Sequence, residues 1–256
     1  MLMILSVILI KLLKKQVMKV DILAFGAHPD DVELGCGGSI SSAVSQGLKV
    51  GIVDLTKGEL GTRGNPEIRE KESRKATEIL EVSFRKNLGF KDGFFVNDKE
   101  HQLKVIELLR EHRPSIVFCN AYRDRHIDHP KASKLVSDAS FLSGLSKIKT
   151  NYKNSKNQPP WTPRHVYHYI QWFDIEPELL IDISDFQEKK MEAIMAYKSQ
   201  FYNPESNEPN TLISSKNFLE SIKHRDQNFG RISGLKAAEG FTLERPPVIK
   251  DFKGII

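Results

Sequence analysis

The chain has 256 residues, 39% hydrophobic and 28% charged. That is enough apolar material for one sizeable α/β core and excludes a disordered or fibrous chain. The formal charge of +5 comes from lysines and arginines scattered along the sequence rather than gathered in a basic stripe, which argues against nucleic acid as a partner. The two cysteines, Cys36 and Cys119, make neither a C-x-x-C motif nor a disulfide framework. That count is compatible with a reducing cytoplasm, and Cys119, in an apolar run, reads as a small buried hydrophobe.

Residues 1–17 read as a non-native or disordered extension. Residues 1–10 are almost wholly apolar, but the lysines follow them and no small-residue cleavage site closes them, unlike a secretory signal. The stretch is too short to cross a bilayer as a helix, so no stable membrane insertion is expected. Met18 opens a normal first strand and is read as the true start. A weak membrane-associating segment is the rival reading. Residues 18–256 are expected to form a single domain.

From there strands and helices alternate. Residues 20–25 read as a buried strand, 39–46 as a helix ending at Gly47, and 50–55 as a second strand. A glycine-rich loop follows at 57–64, then a helix from Pro66 to about Leu80. Residues 84–88 make a weak third strand, 99–112 a helix, 115–119 a fourth strand and 131–142 another helix. Such alternation predicts a Rossmann-like three-layer sandwich with a mostly parallel sheet, for which 3-2-1-4-5 is the common order. Residues 146–164 form a polar excursion that could reach over a site. Residues 166–173 and 179–183 read as strands, Asp185 as the cap of a helix to about Phe201, and 215–229 as a last helix. This half is expected to complete the sheet and wall the site.

Two clusters carry chemistry. Ala27-His28-Pro29-Asp30-Asp31 follows the first strand, and Arg123-Asp124-Arg125-His126-Ile127-Asp128-His129 follows the fourth. Each alone is weak, since Asp-Asp after a strand often caps a helix and His-x-x-His is often a polar turn. In the predicted order, however, strands one and four are neighbours at the switch point where open α/β sheets bind ligands. Two histidines and one aspartate there would hold zinc and leave a place for water, the pattern of a catalytic site. The competing dinucleotide fingerprint, with Asp54 as the ribose acid, fails because Pro29, Asp30 and Asp31 stand where phosphate needs glycine. Glu33 reads as a capping or pairing residue. His165 and His168 lie near a possible pocket wall, and His101, His112 and His224 read as surface. Trp161 and Trp172 could stack on a sugar, but packing is the plainer role for both.

These paired motifs, with the segments 58–72, 141–148, 196–201 and 237–241, resemble the LmbE-like (PIG-L) family of zinc N-deacetylases, over about residues 18–251. The flanking segments resemble the bacillithiol branch, which deacetylates N-acetylglucosaminyl malate. The resemblance implies zinc, or Fe²⁺, on His28, Asp31 and His129. It also implies Asp30 as general base and His126 as oxyanion stabiliser or acid. Asp128 would orient a histidine, and Arg69 would lie near the substrate. Arg63, Arg69, Arg123 and Arg125 are candidates for a substrate carboxylate. Some relatives carry a tyrosine where this chain has Phe218. A small amino-sugar conjugate is the expected partner, and relatives that assemble make a homo-oligomer an open expectation. A general N-acetylglucosamine or chitobiose deacetylase, a thiol-conjugate amidase and a sugar-binding module remain alternatives.

Overall fold

A computed structural model describes residues 18–151 and 157–249. The reading of residues 1–17 lies outside the described residues, as does part of the 146–164 excursion. Among the described residues, seven strands form one sheet in the order β3-β2-β1-β4-β5-β7-β6. They are β1 (Ile22–Gly26), β2 (Val50–Thr56), β3 (Phe84–Phe90), β4 (Ile116–Asn120), β5 (His165–Tyr169), β6 (Leu179–Asp182) and β7 (Ala238–Leu243). The first five pair in parallel, while β7 is antiparallel to both β5 and β6. Six helices accompany them among the described residues: α1 (Asp31–Ser45), α2 (Pro66–Leu80), α3 (Lys99–His112), α4 (Asp128–Leu142), α5 (Gln187–Met195) and α6 (Lys216–Ile232).

Alternation along the strands builds two cores. Ile22 and Ala24 of β1 face one way, with Ile52, Phe118 and Tyr167, and pack against α1, α2, α5 and α6. Leu23 and Phe25 face the other way, with Val53, Val117 and Cys119, and pack against α3 and α4. Cys119 is fully buried, as expected of an apolar-run cysteine. No helix among the described residues is long and apolar enough to cross a membrane.

Side-chain caps set the best-placed helix ends. Asn65 accepts from the Ile68 amide ahead of Pro66, Asp98 accepts from His101, and Ser215 accepts from Phe218. Other boundaries depart from expectation. Helix α1 begins at Asp31, eight residues before position 39, although Gly35, Gly37 and Gly38 disfavour helix. The glycines are there for packing: a Cβ on Gly35 would lie 2.1 Å from the Tyr169 ring. The helix breaks at Cys36, whose φ is −147°. Helix α4 starts three residues early, at Asp128. Asp185 caps nothing; Phe186 occupies the N-cap of α5, which ends at Met195 rather than Phe201. The strand expected over 166–173 ends at Tyr169. Strand β7 is an addition to the expected elements, because a six-residue run holding Glu239 and Gly240 carries little strand signal.

Candidate metal centre and active site

The carboxyl ends of five parallel strands open into one cavity of about 470 Å³. The turn after β1 brings His28, Asp30 and Asp31; the loop after β2 brings Leu60 and Arg63. Asp92 and Gly93 follow β3, the Asp124–His129 segment follows β4, and Gln171 and Trp172 follow β5. Thr211, Leu212 and Ile213, with Phe218 and Arg225 of α6, complete the wall. The described part of the 146–164 excursion does not reach it. Trp161 donates to the Pro114 carbonyl and Gln158 to that of Glu107, both toward the opposite end of the sheet.

Three residues from the two motifs converge. Nδ1 of His28 lies 3.4 Å from one oxygen of Asp31, and Nε2 of His129 lies 3.0 Å from the other. The far nitrogen of each imidazole lies beside acid. Nε2 of His28 meets Asp92 at 3.0 Å and Asp128 at 3.5 Å, while Nδ1 of His129 lies 3.1 Å from Asp124. These outer acids are themselves engaged. Asp92 accepts from the Leu60 amide, and Asp128 from the Gly93 amide and Lys131. Carboxylates on the outer nitrogens of two histidines are the usual support of imidazole metal ligands. Asp31 is held by the His28 amide and Asn120 on one oxygen and by Gln171 on the other. A nitrogen of His126 lies within 4.8 Å of nitrogens of His28 and His129. The two imidazoles and Asp31 are donors suited to a divalent ion, so this cluster could hold a metal.

The electrostatics favour positive charge at this place. Burial alone would strip the proton from His28, yet contacts with Asp128, Asp31 and Asp92 hold its pKa well above the ordinary imidazole value. Burial likewise opposes charge on His129, and Asp31 with Asp124 outweighs it, raising its pKa to about 9. For Asp31, burial favours the neutral acid, but His129 and His28 keep it well below the usual carboxylate range.

Asp30 stands apart from that cluster. Its φ of 112° is a region that side-chain-bearing residues rarely occupy, a strain characteristic of functional positions. Burial raises its pKa to about 7, against the opposing charge of Arg69. Arg69 donates through Nη2 to Asp30 at 2.8 Å and to the Pro29 carbonyl. Gly58, at φ +64°, makes room for this: a Cβ there would lie 2.0 Å from Nη1 of Arg69. His126 accepts at Nδ1 from the Asp128 amide, which leaves its neutral-state proton on Nε2. Burial, then His28 and His129, lower its pKa.

The four arginines part company. Arg63 is tied to Glu208 and Ser206, and Arg69 to Asp30. Arg123 stacks on Phe173 at 5.6 Å and does not line the cavity. Arg125 lines it, stacked on Trp172 at 4.6 Å, and makes no ion pair among the described residues. Phe218 lies against the other partner of that wall, its ring 5.5 Å from Trp172 and nearly parallel to it.

The chain matches the family model described as GlcNAc-PI de-N-acetylase (PIG-L) over residues 23–140, which span both motifs. A conserved protein of Thermus thermophilus is 36% identical, with a TM-score of 0.80 over 90% of this chain and 97% of that one. The chain belongs to the PIG-L (LmbE-like) deacetylase family. It is a hydrolase of N-acetyl amide bonds. The diacetylchitobiose deacetylase of Thermococcus kodakarensis is 28% identical, over 86% of this chain and 81% of the relative. A probable N-acetyl-alpha-D-glucosaminyl L-malate deacetylase 2 of Bacillus anthracis is 27% identical, over 68% and 78%.

Several residues of this deacetylase site escaped the sequence reading: Asp92, Asn120, Asp124 as a histidine partner, Gln171 and Arg225. Four of them, all but Arg225, follow or end a parallel strand, a positional signal that could have nominated them. Other residues are structural. Asp54 and Glu33 both pair with Arg85, and Tyr197 donates to Glu33. His168 is buried between Ser133 and Glu244, away from the cavity. His112, expected at the surface, is buried, with Nδ1 against the Met18 carbonyl. It is drawn in because α3 ends where the chain enters β1, and Phe84 stacks on its ring.

Proposed function

We propose that this chain removes the N-acetyl group of an N-acetylglucosaminyl conjugate, with one zinc ion held by His28, Asp31 and His129. The observation that carries the reading is the approach of the two inner imidazole nitrogens to opposite oxygens of Asp31, inside a cavity large enough for an amino sugar. When bound, the ion supplies Lewis acidity toward the acetyl carbonyl and a water of lowered pKa; Fe²⁺ suits the same donors.

The chain's own residues do the rest. Asp30, with a pKa of about 7, takes the proton of the attacking water. Arg69 fixes that carboxylate from one side. His126 directs its Nε2 proton toward the developing oxyanion and then to the departing amine. Asp92 and Asp128 hold His28, and Asp124 holds His129. Phe218 offers no hydroxyl and Tyr residues are absent from the cavity lining among the described residues, so His126 carries the protein's share of the oxyanion charge.

The finer reading is N-acetylglucosaminyl malate as substrate, in cytoplasmic bacillithiol synthesis. What supports it is Arg125, a cavity arginine without an acidic partner among the described residues, whose edge can receive a malate carboxylate. A second reading, a chitobiose-type substrate, is favoured by the Trp172–Phe218 wall, whose apolar faces suit a second sugar ring. Acetate release by the zinc-reconstituted protein is the test, comparing the malate conjugate, N,N'-diacetylchitobiose and free N-acetylglucosamine. A highest kcat/KM on the malate conjugate is expected. Preference for the disaccharide selects the second reading, and zinc binding without release from any of them overturns both.

A further inference from the structure

The break in α1 at Cys36 frees backbone groups that a continuous helix would pair internally. The Gly38 and Ser39 amides donate to the two oxygens of Glu239 on β7, at 3.0 and 2.7 Å. The Leu34 carbonyl, one turn after Asp31, accepts from Nη2 of Arg225 on α6 at 2.6 Å. Lys190 of α5, wholly buried, joins the two ends: its Nζ lies 2.7 Å from Glu239 and 2.7 Å from Asp226. Asp226 in turn lies 3.1 Å from Nη2 of Arg225.

The same guanidinium reaches the metal cluster. Nη1 of Arg225 donates to the backbone carbonyl of Gln171. The Gln171 side chain donates from Nε2 to Asp31 at 2.9 Å, on the oxygen that also faces Nε2 of His129. Its other end, Oε1, is buried without a partner among the described residues, so Asp31 alone orients this amide. Arg225 lines the cavity, and each of its three guanidinium nitrogens is engaged, on Leu34, Gln171 or Asp226.

We propose that Gln171 is a positioning residue for Asp31, and that Arg225 acts on Asp31 through Gln171, anchored in the buried network that fills the α1 break. The proposal rests on Asp31 being a metal ligand. A donor on that carboxylate oxygen limits its rotation and aims it between the two imidazoles. Arg225 holds the Gln171 backbone at a fixed distance from α1, so Gln171 and Asp31 keep their spacing. The sheet and the helix break thereby set the geometry of the metal cluster.

The test is zinc affinity of the metal-free protein by chelator competition, with thermal stability measured alongside. Gln171→Met keeps the volume and removes the donor. It is expected to weaken zinc binding about 10–100-fold while leaving the Tm of the metal-free protein within a few degrees. Arg225→Lys is expected to weaken zinc binding as well, but to add little in the Gln171→Met background, because the two act in series. Wild-type zinc affinity in Gln171→Met overturns the proposal. Additive losses in the double variant overturn the role given to Arg225. Should Arg225→Lys fail to fold, Gln171→Met alone still tests the Gln171 assignment. A wild-type protein that binds no zinc instead removes the metal reading itself, a separate failure.

Discussion

Replacing Asp30 by asparagine separates proton transfer from metal binding. The substitution is nearly isosteric, and asparagine tolerates positive φ, so the backbone at φ 112° is retained. The new amide oxygen would still accept from Arg69 Nη2, which donates to the native carboxylate at 2.8 Å. What disappears is a buried carboxylate with a pKa of about 7, the proton acceptor of the proposed reaction. General-base catalysis contributes roughly 10²–10⁴-fold. At about 1.4 kcal/mol per tenfold, that is roughly 3–6 kcal/mol of barrier. Asp30 is not among the residues that converge on Asp31, so zinc content should stay at the wild-type level, whereas Asp31→Asn should lose the metal. Acetate release at saturating substrate, with metal analysis of the same sample, reads both quantities. A fully metallated Asp30→Asn protein with wild-type turnover would refute the assignment of the base.

Other outcomes follow from the same geometry. Chelation should lower the Tm and zinc restore it: at a free zinc concentration of about 100 Kd the ion adds about 2.7 kcal/mol, or roughly 5–10 °C for a chain of this size. An unchanged Tm after verified metal removal would contradict this. Gly58→Ala places a Cβ 2.0 Å from Arg69 Nη1 and should cut kcat by about 100-fold through displacement of Arg69 and Asp30; undiminished kcat would show that Arg69 is not positioned there for catalysis. Arg125→Ala should raise KM for the malate conjugate roughly 10-fold or more, the value of a charged hydrogen bond, and spare N,N'-diacetylchitobiose; equal effects on the two substrates would remove Arg125 from carboxylate recognition. Lys190→Met leaves Glu239 buried without a cation and Asp226 with Arg225 alone, and should cost about 3–5 kcal/mol in denaturant unfolding; a loss below about 1 kcal/mol would mean the Lys190–Glu239 contact is not ionic in the folded state.

The local features of the fold were legible in the chain. Helices α2 and α3 begin and end as Pro66 and their periodicity imply, and Asn65 and Asp98 cap them within one turn. Strand–helix alternation implied a parallel sheet with right-handed crossovers, and the common order 3-2-1-4-5 is the one the first five strands adopt. That order in turn made the turn after β1 and the loop after β4 neighbours, so the motif residues could be paired across about a hundred positions.

Which groups support those residues was decided only by the tertiary structure. Asp92, Asn120 and Gln171 reach His28 or Asp31 from three different strand ends, and no local pattern links them. Asp124 rather than Asp128 meets His129, while Asp128 turns toward His28. The arginines looked alike in sequence, yet burial beside Glu208 or Asp30 occupied two of them and left Arg125 free to stack on Trp172. Caps, periods and crossovers act over a few residues and can be read from them. The partner of a buried charge depends on distances that exist only once the sheet has brought remote segments together.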